Sequence, residues 1–236
     1  MRIAATLFVL ALCGTALLAQ EDGEKPGDLV RFQGIEIDLA KREIRIEGRF
    51  LLDRGLVELF ATAEGGKEHE SILALACKPN RLQTGLILLG LEKGTGVRFQ
   101  GEKATPTGSL VDLLVRWKDA EGKEKEAFAE DLVWDTKQGR AMPRAGWVFA
   151  GSRFVTDPGT GAEVFMADIS GSMVVTFHDP DAILDTPAAE GADDTVYAVH
   201  TEAVPPPGTK ATLVVRPRDG AAPGRDGGDG NGDEGD

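Results

Sequence analysis

Three segments of the sequence carry side chains that could bind a ligand or move a proton. In the first, Lys67, His69 and Glu70 follow a Gly-Gly turn and precede an apolar run. A histidine near a loop can bind a ligand, coordinate a metal or transfer a proton. On an extended chain Lys67 and His69 would share one face, and Glu70 would point to the other. Because the sequence identifies no partner for His69, we favour a structural role in which it hydrogen-bonds backbone groups.

The second segment has the pattern Asp-x-Ser-x-Ser, formed by Asp168, Ser170 and Ser172 after a hydrophobic strand. It resembles the metal-adhesion motif of von Willebrand A domains, in which a carboxylate and two hydroxyls hold a hard cation such as magnesium. That motif should precede an amphipathic helix, but residues 174–177 continue as a strand. We therefore interpret residues 169–172 as a hairpin turn and keep Asp168 as a ligand-binding candidate beside Lys67, His69 and Glu70.

The third segment is His178-Asp179-Pro180-Asp181, and Asp185 follows it closely. A histidine among carboxylates can be a metal site, but Asp-Pro sequences are also common in turns and at helix starts. We favour a capping role for these carboxylates and expect a short helix over residues 181–184.

Motifs of the common enzyme classes are absent from the sequence. It contains no Gly-x-Ser-x-Gly nucleophile elbow, no phosphate-binding loop and no dinucleotide fingerprint. Its three histidines offer few catalytic bases. We therefore assign no catalytic residue, no metal ligand and no cofactor, and we favour a protein that is not an enzyme.

The amino end of the chain predicts export. Arg2 is the only charged residue before Glu21, and a short apolar run lies between them. With Leu17 and Ala19 before the cleavage point, residues 1–19 have the features of a secretory signal peptide. An uncleaved membrane anchor is the alternative, although the apolar span is at the short limit for crossing a bilayer. We expect a periplasmic or otherwise extracytoplasmic protein that keeps no membrane span after cleavage.

Charge and cysteine content limit the partners and the stabilising bonds. The chain has 26 basic and 39 acidic residues, a net charge of −13, and such a surface repels phosphate backbones. We expect an unknown envelope protein or small ligand as partner, and no nucleic acid.

Removal of Cys13 with the signal peptide would leave Cys77 alone, so no internal disulfide can form. Its apolar neighbours predict a buried, inert thiol.

The pattern of polar and apolar residues divides the chain into four parts. After the signal peptide we expect a flexible leader over residues 20–29, one domain over 30–215, and a disordered Gly- and Asp-rich tail over 216–236. The tail has no large apolar residue after its first positions and cannot bury a core.

Within the domain most apolar residues alternate with polar ones, which is typical of strands, and residues 35–46 read as a hairpin. Residues 79–90 break this alternation, because Leu82, Leu86 and Leu89 have helical spacing. The pattern predicts a single α+β domain, mostly antiparallel β-sheet with one main helix at about residues 79–90 and short helical turns.

Several segments of the domain also resemble a known family. Residues 65–71, 78–86 and 88–94, and later 146–152, 167–172 and 204–209, are similar to the YdjY-like domain of exported bacterial proteins, notably from planctomycetes. The resemblance spans most of residues 30–215. It implies no catalytic residues, because the family has none established. Some members have been described as ferredoxin-like, but an iron–sulfur cluster needs about four cysteine thiolates, so no cofactor follows from the resemblance.

Three functions remain open on this sequence. The leading hypothesis is an exported, non-enzymatic binding or interaction domain of YdjY type with an unknown ligand. The first alternative is a metal-dependent or acid/base enzyme centred on His69 and Glu70, with Asp168 as a further candidate. The second alternative is a structural component of the cell envelope.

Overall fold

The structure is a computed structural model that describes residues 28–218. The predicted signal peptide, nearly all of the predicted leader and most of the predicted tail lie outside these residues. Within them the chain forms sixteen strands and two α-helices. The strands are β1 (Leu29–Phe32), β2 (Ile35–Asp38), β3 (Glu43–Phe50), β4 (Leu59–Ala63), β5 (Ser71–Leu75), β6 (Leu110–Lys118), β7 (Glu124–Phe128), β8 (Val133–Asp135), β9 (Arg140–Ala141), β10 (Trp147–Phe149), β11 (Phe154–Thr156), β12 (Glu163–Phe165), β13 (Ser172–Val175), β14 (Leu184–Asp185), β15 (Tyr197–Val199) and β16 (Lys210–Pro217). The helices are α1 (Pro79–Leu88) and α2 (Met166–Ser170).

Eight of the strands close into a β-barrel. Their order around the barrel is β3-β16-β6-β10-β14-β13-β4-β5, and β5 pairs back with β3. Strand β3 makes this closure possible because it is long enough to pair with two strands, β2 and β5, along the same edge. Its residues 43–46 pair with β2, and its residues 48–50 pair with β5.

The closed barrel shows that the predicted α+β fold is wrong. The described residues form a mostly β structure with only two α-helices, and the sheet is not open. Two neighbouring pairs in the barrel, β4–β5 and β13–β14, are also parallel. Alternation of polar and apolar residues reports which side chains are buried, but it carries no information on whether the two ends of a sheet pair with each other. The prediction was wrong because it assumed an open sheet.

The first hairpin and the main helix form where the sequence predicts them, whereas the second predicted helix is absent. Strands β2 and β3 form the predicted hairpin, with Ile37 opposite Ile44. Helix α1 starts at Pro79 and ends at Leu88, inside the predicted span. The short helix predicted over residues 181–184 does not form. Its last residue instead begins β14, which is buried between β10 and β13.

One continuous core holds the barrel and α1 together. Phe50, Phe60, Trp147 and Phe149 are fully buried within it, and Leu82 and Leu86 of α1 join the same cluster. Large side chains therefore fill the interior of the barrel. None of the helices within residues 28–218 has the length and apolar character needed to cross a membrane.

Candidate functional site

The segment around His69 forms a tight turn, not an extended chain. Glu68–Glu70 is a single 3-10 turn ahead of β5, so the predicted alternation of faces does not apply. The His69 side chain is 81% exposed, and its Nε2 lies 3.7 Å from Glu70 Oε2. A ring this open to water has no fixed geometry for a ligand. The structure places His69 and Glu70 side by side, with the His69 ring open to water.

Lys67 is held by the loop that contains the other candidate histidine. Its Nζ lies 3.2 Å from Asp179 Oδ2 and 3.9 Å from Glu70 Oε1. The same Asp179 oxygen accepts a 2.8 Å hydrogen bond from the buried hydroxyl of Ser172. This network ties the 3-10 turn to the start of β13 and to the loop after it. Lys67 therefore contributes to the architecture of this end of the barrel.

Asp168 caps helix α1. Its Oδ1 accepts a 2.9 Å hydrogen bond from the backbone N–H of Asn80, and its Oδ2 accepts one of 2.7 Å from the Asn80 side chain. A carboxylate at a helix N-terminus satisfies an unpaired N–H and interacts favourably with the helix dipole. Both carboxylate oxygens of Asp168 are thus engaged in joining α2 to α1.

The Asp-x-Ser-x-Ser pattern does not form a cation site. Its first part lies in α2, which ends at Ser170 and is followed by Gly171 with φ of +74°, so the hairpin turn predicted there is wrong. The Ser172 hydroxyl points to Asp179, while both oxygens of Asp168 face Asn80. Across residues 28–218 no group of three or more His, Cys, Asp and Glu side chains is placed to hold a metal ion.

Cys77 is buried, as the sequence predicts. Burial raises the pKa of its thiol to about 12. At neutral pH the reactive thiolate is therefore scarce.

The side chains with the strongest potential for chemistry are His178 and Asp185. The His178 Nδ1 lies 2.9 Å from Asp185 Oδ1. Both residues are almost fully buried, His178 with 1% of its surface exposed and Asp185 with none. Burial raises the pKa of the Asp185 carboxyl, and the hydrogen bond to His178 opposes this rise.

The parallel pairing of β13 and β14 brings these two residues together. His178 follows β13, Asp185 lies in β14, and the loop between the two strands folds back over the barrel end. The imidazole is then fixed from outside by the turn Ala189–Ala192. A Cβ atom on Gly191 would lie 2.6 Å from His178 Cε1, so only glycine permits this contact. The backbone N–H of His178 also donates a 2.7 Å hydrogen bond to the Gly191 carbonyl.

His178 borders a surface cavity of about 450 Å³, called the His178 cavity from here on. Its walls come from the loop before β6, from Lys137, and from the segment between β14 and β15. The lining residues are Lys103, Ala104, Thr105, Lys137, His178, Ala189, Glu190, Ala192, Asp193 and Val196.

His178 lines this cavity, and contacts on its ring leave the Nε2 edge as the unpaired one within residues 28–218. Asp185 occupies the Nδ1 side of the ring, and Gly191 covers Cε1. The Nε2 atom has no hydrogen-bond partner among the described residues, and it is not one of the fully enclosed polar atoms of the chain. Among the ring nitrogens of His178, Nε2 is therefore the one left without a partner in the described part of the chain.

Charges of both signs surround the mouth of the His178 cavity. Lys137 pairs with Asp193, and this hydrogen bond is the main reason that the pKa of Asp193 is lowered. Lys103 and Glu190 are exposed on the walls and form no ion pair with other described residues. The cavity thus offers a buried imidazole at its base and separate positive and negative groups at its rim.

Comparison with known proteins gives one finding. The family model of the YdjY domain matches residues 35–216, from the first residue of β2 to the penultimate residue of β16. The chain belongs to the YdjY family. No curated protein matches it, and no solved structure does. The predicted YdjY-like domain is confirmed, and the match includes every strand of the barrel.

The sequence singles out the segment that contains His178, but its pattern favoured a capping role for the carboxylates. The capping interpretation rested on the Asp-Pro sequence, and one part of it holds, because Asp179 Oδ1 accepts a hydrogen bond from the backbone N–H of Asp181. It missed the pairing of His178 with Asp185. The apolar residues on both sides, 173–177 and 182–184, were the available signal, since polar residues between buried segments tend to be buried and paired.

Proposed function

We propose that this YdjY domain is an exported binding domain whose ligand occupies the His178 cavity. The observation that carries the proposal is the placement of His178. A buried imidazole, paired with a buried carboxylate through Nδ1 and unpaired at Nε2 within the described residues, lines a cavity large enough for a small molecule. A concave site with a few converging polar groups and a perturbed titratable residue is the usual form of a ligand site.

The energetic cost of the His178–Asp185 pair supports a functional reading. Burying two ionisable groups costs free energy that their mutual attraction only partly offsets. Here the cost is higher, because Asp185 Oδ2 is buried without a hydrogen bond. Apolar residues of similar size would fill the same space at lower cost, so a role in recognising a ligand accounts for keeping the pair.

The walls of the His178 cavity suit a small polar ligand. Ala104, Ala189, Ala192 and Val196 give short apolar surfaces, which leave room for the ligand and exclude water from part of it. Charged groups of both signs at the rim supply orientation. A long apolar ligand would find no matching surface in this cavity.

Export remains part of the proposal because of the sequence of residues 1–19. Expression of the full chain with its own amino end, followed by intact mass measurement of the extracytoplasmic fraction, tests it. We expect a species that begins at Gln20. A species that still contains residues 1–19 would show that this segment is an anchor or is not processed.

Binding can be tested with residues 20–236 and a panel of sugars, amino acids, short peptides, carboxylates and inorganic phosphate. We expect at least one of these compounds to raise the melting temperature, and Ala189→Trp to remove the effect by filling the cavity. Ala189 is exposed, so the change should leave the fold intact. Ala120→Trp is the matched control, because Ala120 is exposed in a turn outside the cavity.

Two outcomes would contradict the proposal. A ligand that stabilises the wild type and Ala189→Trp equally binds elsewhere. The absence of any ligand effect, together with co-sedimentation of the protein with the envelope, would favour the structural role instead.

A further inference from the structure

We propose that His178 is a general base that activates water for the hydrolysis of small carboxylic esters bound in the His178 cavity, with Asp185 as its positioning residue. This inference rests on the proposed function, because the substrate must enter the same cavity. The acid/base alternative is thereby assigned to His178, which is buried and paired with Asp185, and no longer to the exposed His69.

The state of the His178 ring follows from its contact with Asp185. The proposed base uses the tautomer in which Nδ1 carries the proton, and the 2.9 Å contact between Nδ1 and Asp185 Oδ1 accommodates that tautomer. The carboxylate then accepts the Nδ1–H hydrogen bond and leaves the lone pair of Nε2 free. This tautomer is the one that can take a proton from water, and Asp185 also stabilises the imidazolium that results.

The surroundings of the ring keep its position fixed. Gly191 packs against it, since a Cβ atom on Gly191 would lie 2.6 Å from Cε1 and 2.9 Å from Nδ1 of the ring. The backbone of His178 is held on both sides, because its N–H donates to Gly191 and its carbonyl accepts from the N–H of Gly101. A catalytic base gains from such preorganisation, because no rearrangement is needed when the substrate binds.

The cavity supplies the other groups that ester hydrolysis needs. Lys103 and Thr105 carry N–H and O–H donors for the oxygen that becomes negative when water adds to the carbonyl. The small apolar side chains of Ala104, Ala189 and Val196 leave space for a short acyl group.

The reaction balances without any further reagent. Nε2 takes a proton from water while the water oxygen bonds to the carbonyl carbon, and the carbonyl π electrons move to oxygen. Collapse of this tetrahedral species breaks the bond between the carbonyl carbon and the alkoxy oxygen, and the leaving alcohol receives the proton from Nε2. One ester and one water give one acid and one alcohol.

The other two histidines serve as internal controls. The His69 side chain is exposed. His200 Nδ1 lies 2.7 Å from the Asp131 carbonyl, and its ring stacks against Trp134, with the centroids 4.8 Å apart. Neither residue lines the His178 cavity. Substitutions at these positions remove an imidazole and leave the proposed base in place.

The test uses hydrolysis of 4-nitrophenyl acetate by residues 20–236. We expect a rate above that of buffer, a loss of about 100-fold in His178→Gln, and no change in His69→Gln or His200→Gln. Ala189→Trp should also remove the activity, and it keeps the buried pair intact in case His178→Gln fails to fold. Asp185→Asn should lower kcat with KM unchanged. The kcat of Asp185→Glu should lie between those of Asp185→Asn and the wild type, because a carboxylate is still present. A merely structural Asp185 would not give that pattern.

The outcomes separate this inference from the proposed function. A folded His178→Gln or Ala189→Trp variant that hydrolyses the ester at the wild-type rate overturns the inference, as does a wild type no faster than buffer. If a ligand still binds in the cavity in either case, the proposed function stands. If no ligand binds there, both fail.

Discussion

At the scale of single residues, this protein concentrates its unusual chemistry in buried carboxyl groups. Asp185 and Glu130 are both fully buried, and each has one oxygen without a hydrogen bond. In Asp185 the other oxygen contacts His178, whereas in Glu130 it accepts a hydrogen bond from the backbone N–H of Gly146. Asp185 thus has a titratable partner beside a cavity, and Glu130 has a backbone partner. The first arrangement suits chemistry, and the second suits structure.

Glu130 should make the stability of the domain depend on pH. Burial raises the pKa of its carboxyl in the folded state, so folding favours the protonated form. Its contribution to stability is fully present below the unfolded pKa of about 4.3 and is lost as pH rises through the higher folded value. Replacement by glutamine removes this loss. We therefore expect the free energy of unfolding of Glu130→Gln minus that of the wild type to be larger, that is more stabilising, at pH 7 than at pH 4.

Urea denaturation at the two pH values measures this difference. Glu121→Gln at an exposed turn is the control, and its effect should be the same at both pH values. Equal effects of Glu130→Gln at pH 4 and pH 7 would show that the folded protein does not disfavour the Glu130 carboxylate.

At the scale of elements, the closure between β3 and β5 depends on a close backbone approach. Gly48 lies opposite Leu75, and a Cβ atom at this position would lie 2.5 Å from the Ala74 carbonyl oxygen. No L-side chain fits without moving one strand away from the other. Glycine at this point is therefore a requirement of barrel closure.

Gly48→Ala should destabilise the domain by about 1–3 kcal/mol, because the added methyl group overpacks a rigid backbone contact. Chemical denaturation measures the change. Gly96→Ala is the matched control, since the nearest atom to its new Cβ would be the Ala150 methyl at 3.6 Å, an ordinary contact. A Gly48→Ala variant as stable as Gly96→Ala would mean that the β3–β5 pairing is looser than the structure has it.

At the scale of the whole molecule, the carboxyl-terminal strand completes the barrel. Strand β16 lies between β3 and β6 and pairs with each of them over six or seven residues. Its apolar residues Leu213 and Val215 belong to the common core. The barrel therefore cannot close until the last strand of the domain is available.

A truncation series tests this dependence. We expect residues 28–218 to unfold in one cooperative transition near the melting temperature of residues 20–236, because a single core joins all eight barrel strands. Residues 28–209, which lack β16, should show no cooperative transition and poor dispersion in a proton–nitrogen correlation spectrum. A folded fragment without β16 would contradict the assigned strand order.

The sequence by itself determined the local features of this protein. The spacing of Leu82 and Leu86 predicted helix α1, alternation in residues 35–46 predicted the first hairpin, and the segments between residues 65 and 209 predicted the YdjY family. Each of these features depends on residues that are near in sequence or on a pattern within one segment. That is why they could be read without a structure.

Only the tertiary structure decided the barrel and the candidate site. Closure pairs Gly48 with Leu75, and the His178 cavity joins residues from 103 to 196, so both depend on contacts between distant segments. No periodicity in the sequence records such contacts. The same reason explains the choice of histidine. His69 and His178 both stand beside carboxylates in sequence, but only folding buries one of them against Asp185 and leaves the other in water.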